Sequence, residues 1–350
     1  MAIYYRCPDK DYPVGGIRVI YRHVDILDRN GFEAFVLHHY HPFRCTWFEN
    51  DTPVAHEARY PEHSRSPAAR AWRGARRAAG APVGTDPLPA FELTDADVLV
   101  LPEVMPDVPE SEGHVPKVIF NQNAYLTLAP YPLDVDSRDI VYARPEVRGA
   151  IVVSEDSRRY LESLFPEVRV HRIHYGIDPE LFAFTAEKKR QIAYMPRKNE
   201  RDLQQVLVRL RLAGRLEGWD VVAIEGLSEA ETAALLRESA VFLSSGHPEG
   251  FGLPAAEAMS CGCVVVGYHG YGGREFLTED NGFPIAVGDV VEFADTTARV
   301  LRELEQEPDA LARRAERGSR FVREHYARER EEEDVVAAWR ELGDPRARLG

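Results

Sequence analysis

The sequence predicts an α/β fold built from two doubly wound, parallel-sheet domains. The chain has 350 residues, which is more than one hydrophobic core usually serves. Short apolar, β-branched runs alternate along it with segments of helical periodicity, the pattern of repeated β-α-β units. Hydrophobic residues make up 44% of the chain and charged residues 29%, as in ordinary globular proteins.

The apolar runs are too short for helices and too continuous for half-exposed strands. Each is therefore predicted to be a buried parallel strand. In chain order they are 35–37, 98–101, 118–120, 150–153, 191–194, 221–224, 241–243 and 264–266.

This order is interrupted at about residues 56–89. Trp72 and five arginines lie in residues 64–77, and a stretch rich in Pro, Gly and Ala follows. We expect a mobile, locally basic insertion in the first domain. A solvated loop or surface helix is the simpler interpretation. The alternative is a patch that contacts an anionic acceptor or, weakly, a membrane surface.

Two later features set the domain boundaries. Residues 171–182 have the pattern of a strand followed by a turn, and a charged tail of helical periodicity runs from 309 to 342. The predicted division is a first domain at 1–173, a second at 174–322, and a C-terminal helix within 323–350 that packs back on the first domain.

Charge and composition exclude several classes of protein. The net charge of -14 argues against a general nucleic-acid binder. No run approaches the roughly 18 apolar residues of a membrane span, and no signal peptide is visible, so we expect a cytoplasmic protein. The four cysteines form no CxxC pair and are expected to be buried thiols.

Residues 244–266 predict a strand end, a glycine-rich loop, a helix and another strand. Pro254 suits the first turn of that helix, and Gly262 suits its end. In doubly wound sheets, ligands bind at the carboxyl ends of strands, where a glycine-rich loop and a helix N-terminus favour an anion. Glu249 lies in the loop and Glu257 one turn into the helix. Two such acceptors around an anion site suit the hydroxyls of a sugar nucleotide.

Residues 245–262 closely resemble the E-x7-E segment of retaining glycosyltransferases of family 4. Members of that family have the GT-B fold, in which two Rossmann-like domains face each other across a cleft. The resemblance implies that Glu249 contacts donor-sugar hydroxyls near the reacting carbon and that Glu257 holds the ribose hydroxyls. The loop residues expected near the sugar and phosphates are His247, Gly250, Phe251, Gly252 and Leu253.

The resemblance extends upstream of this loop. Residues 194–199 are similar to a strand-end motif that supplies an Arg and a Lys to the diphosphate, which implies catalytic roles for Arg197 and Lys198. In the family the Lys usually follows several residues after the Arg, whereas here the two are adjacent. Because adjacent side chains diverge, Arg201 is a substitute for whichever of the two does not reach the ligand. Leu227 lies where the family's main chain contacts the base.

The resemblance is weaker in the first domain. Gly15 and Gly16 resemble a glycine-rich loop that brings backbone N–H groups to the donor phosphate. The family often carries a His after a later strand, where this chain has residues 121–125. We expect Asn121, Asn123 and Tyr125 to hydrogen-bond donor or acceptor hydroxyls there. The resemblance thus implies an acceptor-binding first domain and a nucleotide-sugar-binding second domain.

Several other motifs in the sequence could carry a different chemistry. Three Asp-x-Asp pairs, at 9/11, 95/97 and 134/136, do not follow apolar strands, so capping and turn roles are favoured over metal binding. The histidines of residues 38–41 have no partner at metal-ligand spacing. Neither a P-loop nor a G-x-S-x-G elbow occurs. We therefore predict no metal.

The function predicted from the sequence is a metal-independent, retaining glycosyltransferase without a cofactor. Its donor is a UDP-, GDP-, dTDP- or ADP-sugar, and its acceptor is a saccharide or another hydroxyl compound. Two alternatives stay open at this point. One is a glycosyl phosphorylase-like enzyme with phosphate as acceptor, and the other is a non-catalytic nucleotide-sugar- or glycan-binding protein.

Overall fold

A computed structural model describes residues 1–59, 92–105 and 112–343 of the chain. Contacts divide these residues into two units. The first contains 1–59, 92–102 and 112–118, and the second contains 103–105 and 119–343.

The first sheet has seven strands in the order β3-β2-β1-β4-β5-β6-β7. Strand β1 pairs in parallel with β2 and with β4, β2 with β3, and β6 with β7. The strands are β1 (Ala2–Arg6), β2 (Glu33–His41), β3 (Val54–Arg59), β4 (Val98–Pro102), β5 (Lys117–Asn121), β6 (Val147–Val152) and β7 (Val170–Arg172).

The second sheet has five strands in the order β12-β11-β10-β8-β9, and all its neighbouring strands are parallel. Every residue of β10 is buried, because it lies at the centre of the sheet. The strands are β8 (Lys189–Tyr194), β9 (Asp220–Ala223), β10 (Ser239–Ser244), β11 (Val264–Gly267) and β12 (Phe283–Pro284).

Helices separate most of these strands, as the β-α-β pattern requires. In the first unit, α1 buries the apolar face that its sequence spacing predicts, including Val19, Ile20, Val24 and Leu27. The described helices are α1 (Gly15–Arg29), α2 (Glu155–Leu164), α3 (Glu200–Leu212), α4 (Glu229–Glu238), α5 (Leu253–Ser260), α6 (Val290–Gln306), α7 (Pro308–His325) and α8 (Arg328–Leu342).

The charged tail forms α7 and α8. Helix α8 buries Val335, Val336 and Trp339 and contacts β6 within the second unit. Among the described helices, none has both the length and the apolar character that crossing a membrane would need.

The predicted α/β class with parallel sheets is confirmed, and each of the eight predicted runs coincides with a strand, although two of them, 150–153 and 221–224, extend one residue beyond it. Strands β1, β3 and β12 were not predicted, whereas β7 begins the strand-and-turn pattern of residues 171–182. Residues 56–59, where the basic insertion was expected to begin, form part of β3 instead. The rest of that insertion, with its arginines, lies outside the described residues. The domain boundaries at 173 and 322 stay predictions.

Candidate active site

A pocket lies in the second unit at the carboxyl ends of β8 and β10, beside the start of α5. Parallel strands bring the loops that follow them to one edge of a sheet, which is where ligands of such folds bind. The residues that line it include Arg197, Lys198, Gly246, Glu249, Gly252 and Tyr268.

The backbone of Glu249 is fixed by the segment that follows β11. Its N–H donates to the Gly270 carbonyl at 2.7 Å, and its own carbonyl accepts from the Gly272 N–H at 3.2 Å. A Cβ on Gly270 would lie 2.8 Å from Glu249 Cβ, and one on Gly246 would lie 3.0 Å from Glu249 Oε1. Two glycines therefore leave the space that the Glu249 side chain occupies.

Gly250 is required by close backbone packing. A Cβ at this position would lie 1.9 Å from the Gln122 carbonyl oxygen. In the same way, a Cβ on Gly272 would lie 1.9 Å from the Gly250 carbonyl oxygen. Three backbone segments are thus stacked with no room for side chains. This gives Gly250 a packing role, and its predicted contact with the substrate stays a prediction.

The two adjacent cations of the β8 turn differ in their surroundings. Lys198 is half-buried, and its Nζ lies 2.7 Å from Glu249 Oε1 in an ion pair. Arg197 is exposed, although it also lines the pocket. Lys198 and Glu249, which both have predicted catalytic roles, are therefore in contact, and Arg197, the third such residue, lies at the rim of the pocket.

Asn199 joins the turn after β8 to the loop after β10 through hydrogen bonds. It has a left-handed backbone (φ 52°), a conformation for which asparagine is enriched. Its Nδ2 donates to the carbonyls of Ser245 and His247, at 2.8 and 3.0 Å. The Ser245 hydroxyl donates in turn to the Lys198 carbonyl at 3.0 Å. This role of Asn199 was not predicted, although an asparagine directly after a strand-end turn could have suggested it.

Helix α5 begins as the glycine-rich segment predicted. Gly252 precedes it with φ 97°, a conformation that favours glycine, and Pro254 lies in its first turn. Leu253 is the first helical residue, and Glu257 follows one turn later with a half-buried side chain. The backbone N–H groups at this helix start are suited to an anion.

The Phe251 side chain packs in an aromatic cluster. It is 2% exposed, and its ring centroid lies 5.4 Å from that of Tyr175, 5.1 Å from Phe276 and 4.9 Å from Tyr326. The side chain therefore anchors the loop, and only the backbone of Phe251 is suited to the predicted contact with donor.

The expectation that Asn121 binds a substrate hydroxyl is wrong. Asn121 is completely buried, and its Nδ2 donates to the hydroxyls of Thr127 and Tyr142, each at 2.7 Å. Both amide protons are thereby used inside the protein. Asn121 ends strand β5, and the side it presents there faces the core.

Asn123 and Tyr125 support the Glu249 loop. Asn123 is 8% exposed; its Oδ1 accepts from the Tyr125 N–H and its Nδ2 donates to the Pro248 carbonyl, each at 3.2 Å. The Tyr125 hydroxyl donates to Asp156 at 2.7 Å. Burial and the Asp156 carboxylate raise the pKa of Tyr125, so the phenol stays protonated. Contacts of either residue with a substrate stay predictions.

His247 and Tyr271 lie side by side next to Glu249. Their ring centroids are 4.6 Å apart, nearly perpendicular. Burial, and then the charge of Lys198, lower the pKa of His247 against the opposing effect of Glu249, so the imidazole is neutral at neutral pH. Tyr271 has φ 81°, which is strained for a bulky residue and is typical of functional sites. Nothing in the sequence indicated that strain.

The remaining predicted residues lie on other segments. Gly15 and Gly16 begin α1 in the first unit, directly after the extended N-cap residue Val14. Leu227 is half-buried in the loop between β9 and α4, after Gly226, whose φ is 67°. Their predicted contacts with the phosphates and the base stay predictions.

Glu103 is a buried carboxyl group that the sequence analysis did not single out. It directly follows β4, is 7% exposed, and its Oε2 accepts from the Gln122 N–H at 3.1 Å. Burial raises the pKa of Glu103 to about 7, although backbone N–H groups and the charge of Lys198 lower it. A carboxylate directly after a buried strand is the sequence feature that could have identified it.

Comparison with known proteins identifies the class of enzyme that this chain resembles. Residues 211–318, which include Glu249 and Glu257, match the family model described as glycosyl transferases group 1. An alpha-1,6-glucosyltransferase from Actinobacillus pleuropneumoniae serotype 7 is 27% identical over 266 residues, covering 73% of this chain and 78% of the relative.

Solved structures of similar fold cover the whole chain. Sucrose-phosphate synthase from Thermosynechococcus elongatus is 14% identical with a TM-score of 0.65, covering 97% of this chain and 98% of that one. HepE from Anabaena in complex with UDP-glucose is 14% identical with a TM-score of 0.61, and both chains are covered completely. These similarities confirm the GT-B fold, with its two parallel-sheet α/β domains.

Proposed function

We propose that this chain, a glycosyltransferase with a group 1 domain, moves a sugar from a nucleoside diphosphate to an acceptor hydroxyl with retention of configuration and without a metal. The observation that carries the proposal is the ion pair between Lys198 and Glu249 in a pocket whose lining includes Gly246 and Gly252. One group suits a diphosphate and the other suits sugar hydroxyls, and both lie beside a helix start. This pairing fits the E-x7-E motif of family 4.

Donor binding exchanges the partners of this ion pair. The diphosphate takes the Lys198 ammonium, and the sugar hydroxyls donate to the Glu249 carboxylate in its place. Each charge then keeps a partner of opposite charge or a hydrogen-bond donor, so the exchange leaves no buried charge unpaired. Glu257, one turn into α5, accepts from the ribose hydroxyls.

The leaving diphosphate is the group that needs stabilisation during transfer. Negative charge grows on its bridging oxygen as the bond to the sugar breaks, and Lys198, Arg197 and the backbone at the start of α5 offset that charge. The acceptor hydroxyl attacks from the same face of the sugar, which gives retention. No motif supplies a covalent nucleophile, so an ion-pair-like intermediate is the route we favour.

UDP-glucose is the first donor to test. The A. pleuropneumoniae relative is an alpha-1,6-glucosyltransferase, and HepE of similar fold was solved with UDP-glucose. We propose a saccharide hydroxyl as the acceptor, no cofactor beyond the donor, and a cytoplasmic site of action, where nucleotide sugars are made.

Calorimetry with UDP-, GDP-, dTDP- and ADP-sugars tests the proposal directly. We expect one class of donor to bind, Glu249→Ala to abolish transfer, and Glu257→Ala to weaken donor binding. NMR of the first-formed product should show the anomeric configuration of the donor, and EDTA should leave the rate unchanged. Binding of no nucleotide sugar, or full turnover by both variants, would disprove the proposal.

The same panel separates the two alternatives. A phosphorylase-like enzyme would release sugar phosphate in the presence of inorganic phosphate and would need no nucleotide. A binding protein would retain a nucleotide sugar or a glycan without converting it.

A further inference from the structure

Glu103 is a carboxyl group in an environment that disfavours its charge. It follows β4, where every residue is buried, and it is itself 7% exposed. Carboxylates are rarely buried to this extent unless they are paired or hydrogen-bonded.

The hydrogen bond of Glu103 connects it to the Glu249 loop through the Gln122–Asn123 turn. Glu103 Oε2 accepts from the Gln122 N–H at 3.1 Å. The carbonyl of the same Gln122 lies against Gly250, and the neighbouring Asn123 donates to the Pro248 carbonyl at 3.2 Å. The turn that Glu103 holds therefore contacts the residue before Glu249 and the residue after it.

Two ionisable side chains interact electrostatically with Glu103. The positive charge of Lys198 acts on the carboxylate from the β8 turn, and the Tyr142 phenol, whose own pKa is raised, interacts with it from the segment after β5. Lys198 is also the ion-pair partner of Glu249, at 2.7 Å. One ammonium group thus pairs with the half-buried Glu249 and also acts electrostatically on the buried Glu103.

Charge on Glu103 costs the protein stability. Burial raises its pKa from the usual 4.5 to about 7 in the folded protein. Between these values the folded chain keeps a proton that the unfolded chain releases. Stability therefore falls as the pH rises across this range, and the full cost is present above about pH 7. A glutamine would accept the same backbone hydrogen bond without this cost.

We propose that Glu103 is a positioning residue for the donor site, whose carboxylate holds the Lys198 ammonium and the Gln122–Asn123 turn in place when Glu249 turns to the donor hydroxyls. This inference rests on the proposed function, because it assigns Lys198 to the diphosphate and Glu249 to the sugar. A group retained at a cost to stability is typical of such functional sites.

The variant Glu103→Gln tests this role, with activity and stability both measured from pH 5 to pH 9. Wild-type kcat/KM for the donor should rise with pH through a step near pH 7, and the variant should lack that step. At pH 8 we expect its kcat/KM to be lower by about tenfold or more. Its Tm at pH 8 should be higher than that of the wild type by about 3 °C or more, and the difference should disappear at pH 5.

Glu238→Gln is the matched control, since it removes an exposed carboxylate that pairs with Lys189 on the surface. It should keep the wild-type pH profile and Tm. A merely structural role of Glu103 would lower the Tm of Glu103→Gln at pH 8, and that result overturns the inference. So does an unchanged pH profile of kcat/KM in the variant.

A measurement on the wild type alone removes any dependence on folding of the variant. Calorimetry of UDP-glucose binding at pH 6.5, in buffers of different ionisation enthalpy, should show proton release, because the ionised form of Glu103 binds donor. His247 contributes little at this pH because its pKa is lowered. Binding without proton release overturns this inference and leaves the proposed function standing. Absence of binding by every donor of the panel overturns both.

Discussion

Charged residues have different surroundings at two sheet edges of this molecule. One edge is formed by the carboxyl ends of β1 and β2 in the first unit, and the other by those of β8 and β10 in the second. In the first, Arg6 forms ion pairs with Glu57 and Glu112, at 2.7 and 2.8 Å. His38 is completely buried between Asp9 and Tyr21, at 2.9 and 2.8 Å. These charged and polar groups hold the loops of that edge together.

At the sheet edge in the second unit, the charged residues lie at a pocket. Lys198 pairs with Glu249 at the pocket wall, and Arg197 is exposed at the rim. Its loops are held by backbone contacts and by Asn199 instead. The difference indicates that charge in the first region serves stability, whereas on the proposed function charge in the second exchanges its partner for a ligand. Four substitutions test this contrast.

Lys198→Ala should have the largest effect. On the proposed function this cation stabilises the leaving group, so its removal is expected to lower kcat by about 10²–10³-fold. Stability should change little, because the Lys198 side chain is only half-buried. Steady-state kinetics with the best donor of the panel measures the effect. The control is Lys189→Ala, which removes an exposed lysine; similar rates for both variants would contradict the assignment of Lys198.

Gly250→Ala should destabilise the second region by about 3 kcal/mol or more, because the new Cβ would lie 1.9 Å from a backbone oxygen. Denaturant unfolding measures the loss. Gly31→Ala is the control: it has open space but a φ of 81°, so only the backbone cost of about 1 kcal/mol should appear. Equal losses for the two variants would mean that the loop relaxes around the added methyl group.

Asp9→Asn should destabilise the first region by about 1–2 kcal/mol. The Asp9 carboxylate accepts from the His38 ring and from the backbone N–H groups of His39 and Tyr40, at 2.9, 3.1 and 3.1 Å. Donor affinity should stay within about twofold of the wild type by calorimetry, since this charge serves the first region alone. A larger loss of donor affinity would contradict the inference that the Asp9 charge serves the first region alone.

Arg197→Ala should have the smallest effect. An exposed charge contributes up to about 1 kcal/mol, which is about fivefold in donor Kd. The loss should shrink as salt is added, because screening weakens interactions of exposed charges. Calorimetry at about 0.05 M and 0.5 M salt measures it. A loss that does not depend on salt would indicate a closer contact than the rim position provides.

The sequence was most informative where residue type and spacing act together. Continuous apolar runs identified the buried strands, and glycines with Pro254 identified the loop and start of α5. Strands β3 and β7 are edge strands, and their residues are only partly apolar. Such strands lack the continuous apolar run that marks a buried one.

Side-chain direction could not be predicted at the strand ends. Asn121 and Asn123 are two residues apart, yet the first amide is used in the core and the second holds the Pro248 carbonyl. Which of them faces a ligand depends on where β5 ends, and the spacing of the residues does not fix that position. The strain at Tyr271 and the burial of Glu103 likewise arise from contacts with segments distant in the chain.

The two hydrogen bonds of Asn199 have a consequence for redesign of this enzyme. They join the turn after β8 to the loop after β10, so that these segments form one structural module although 46 residues separate Asn199 from Ser245. A loop transplanted from a relative to change donor preference would lose these bonds unless the β8 turn came with it. Exchanges of donor specificity should therefore graft both segments at once.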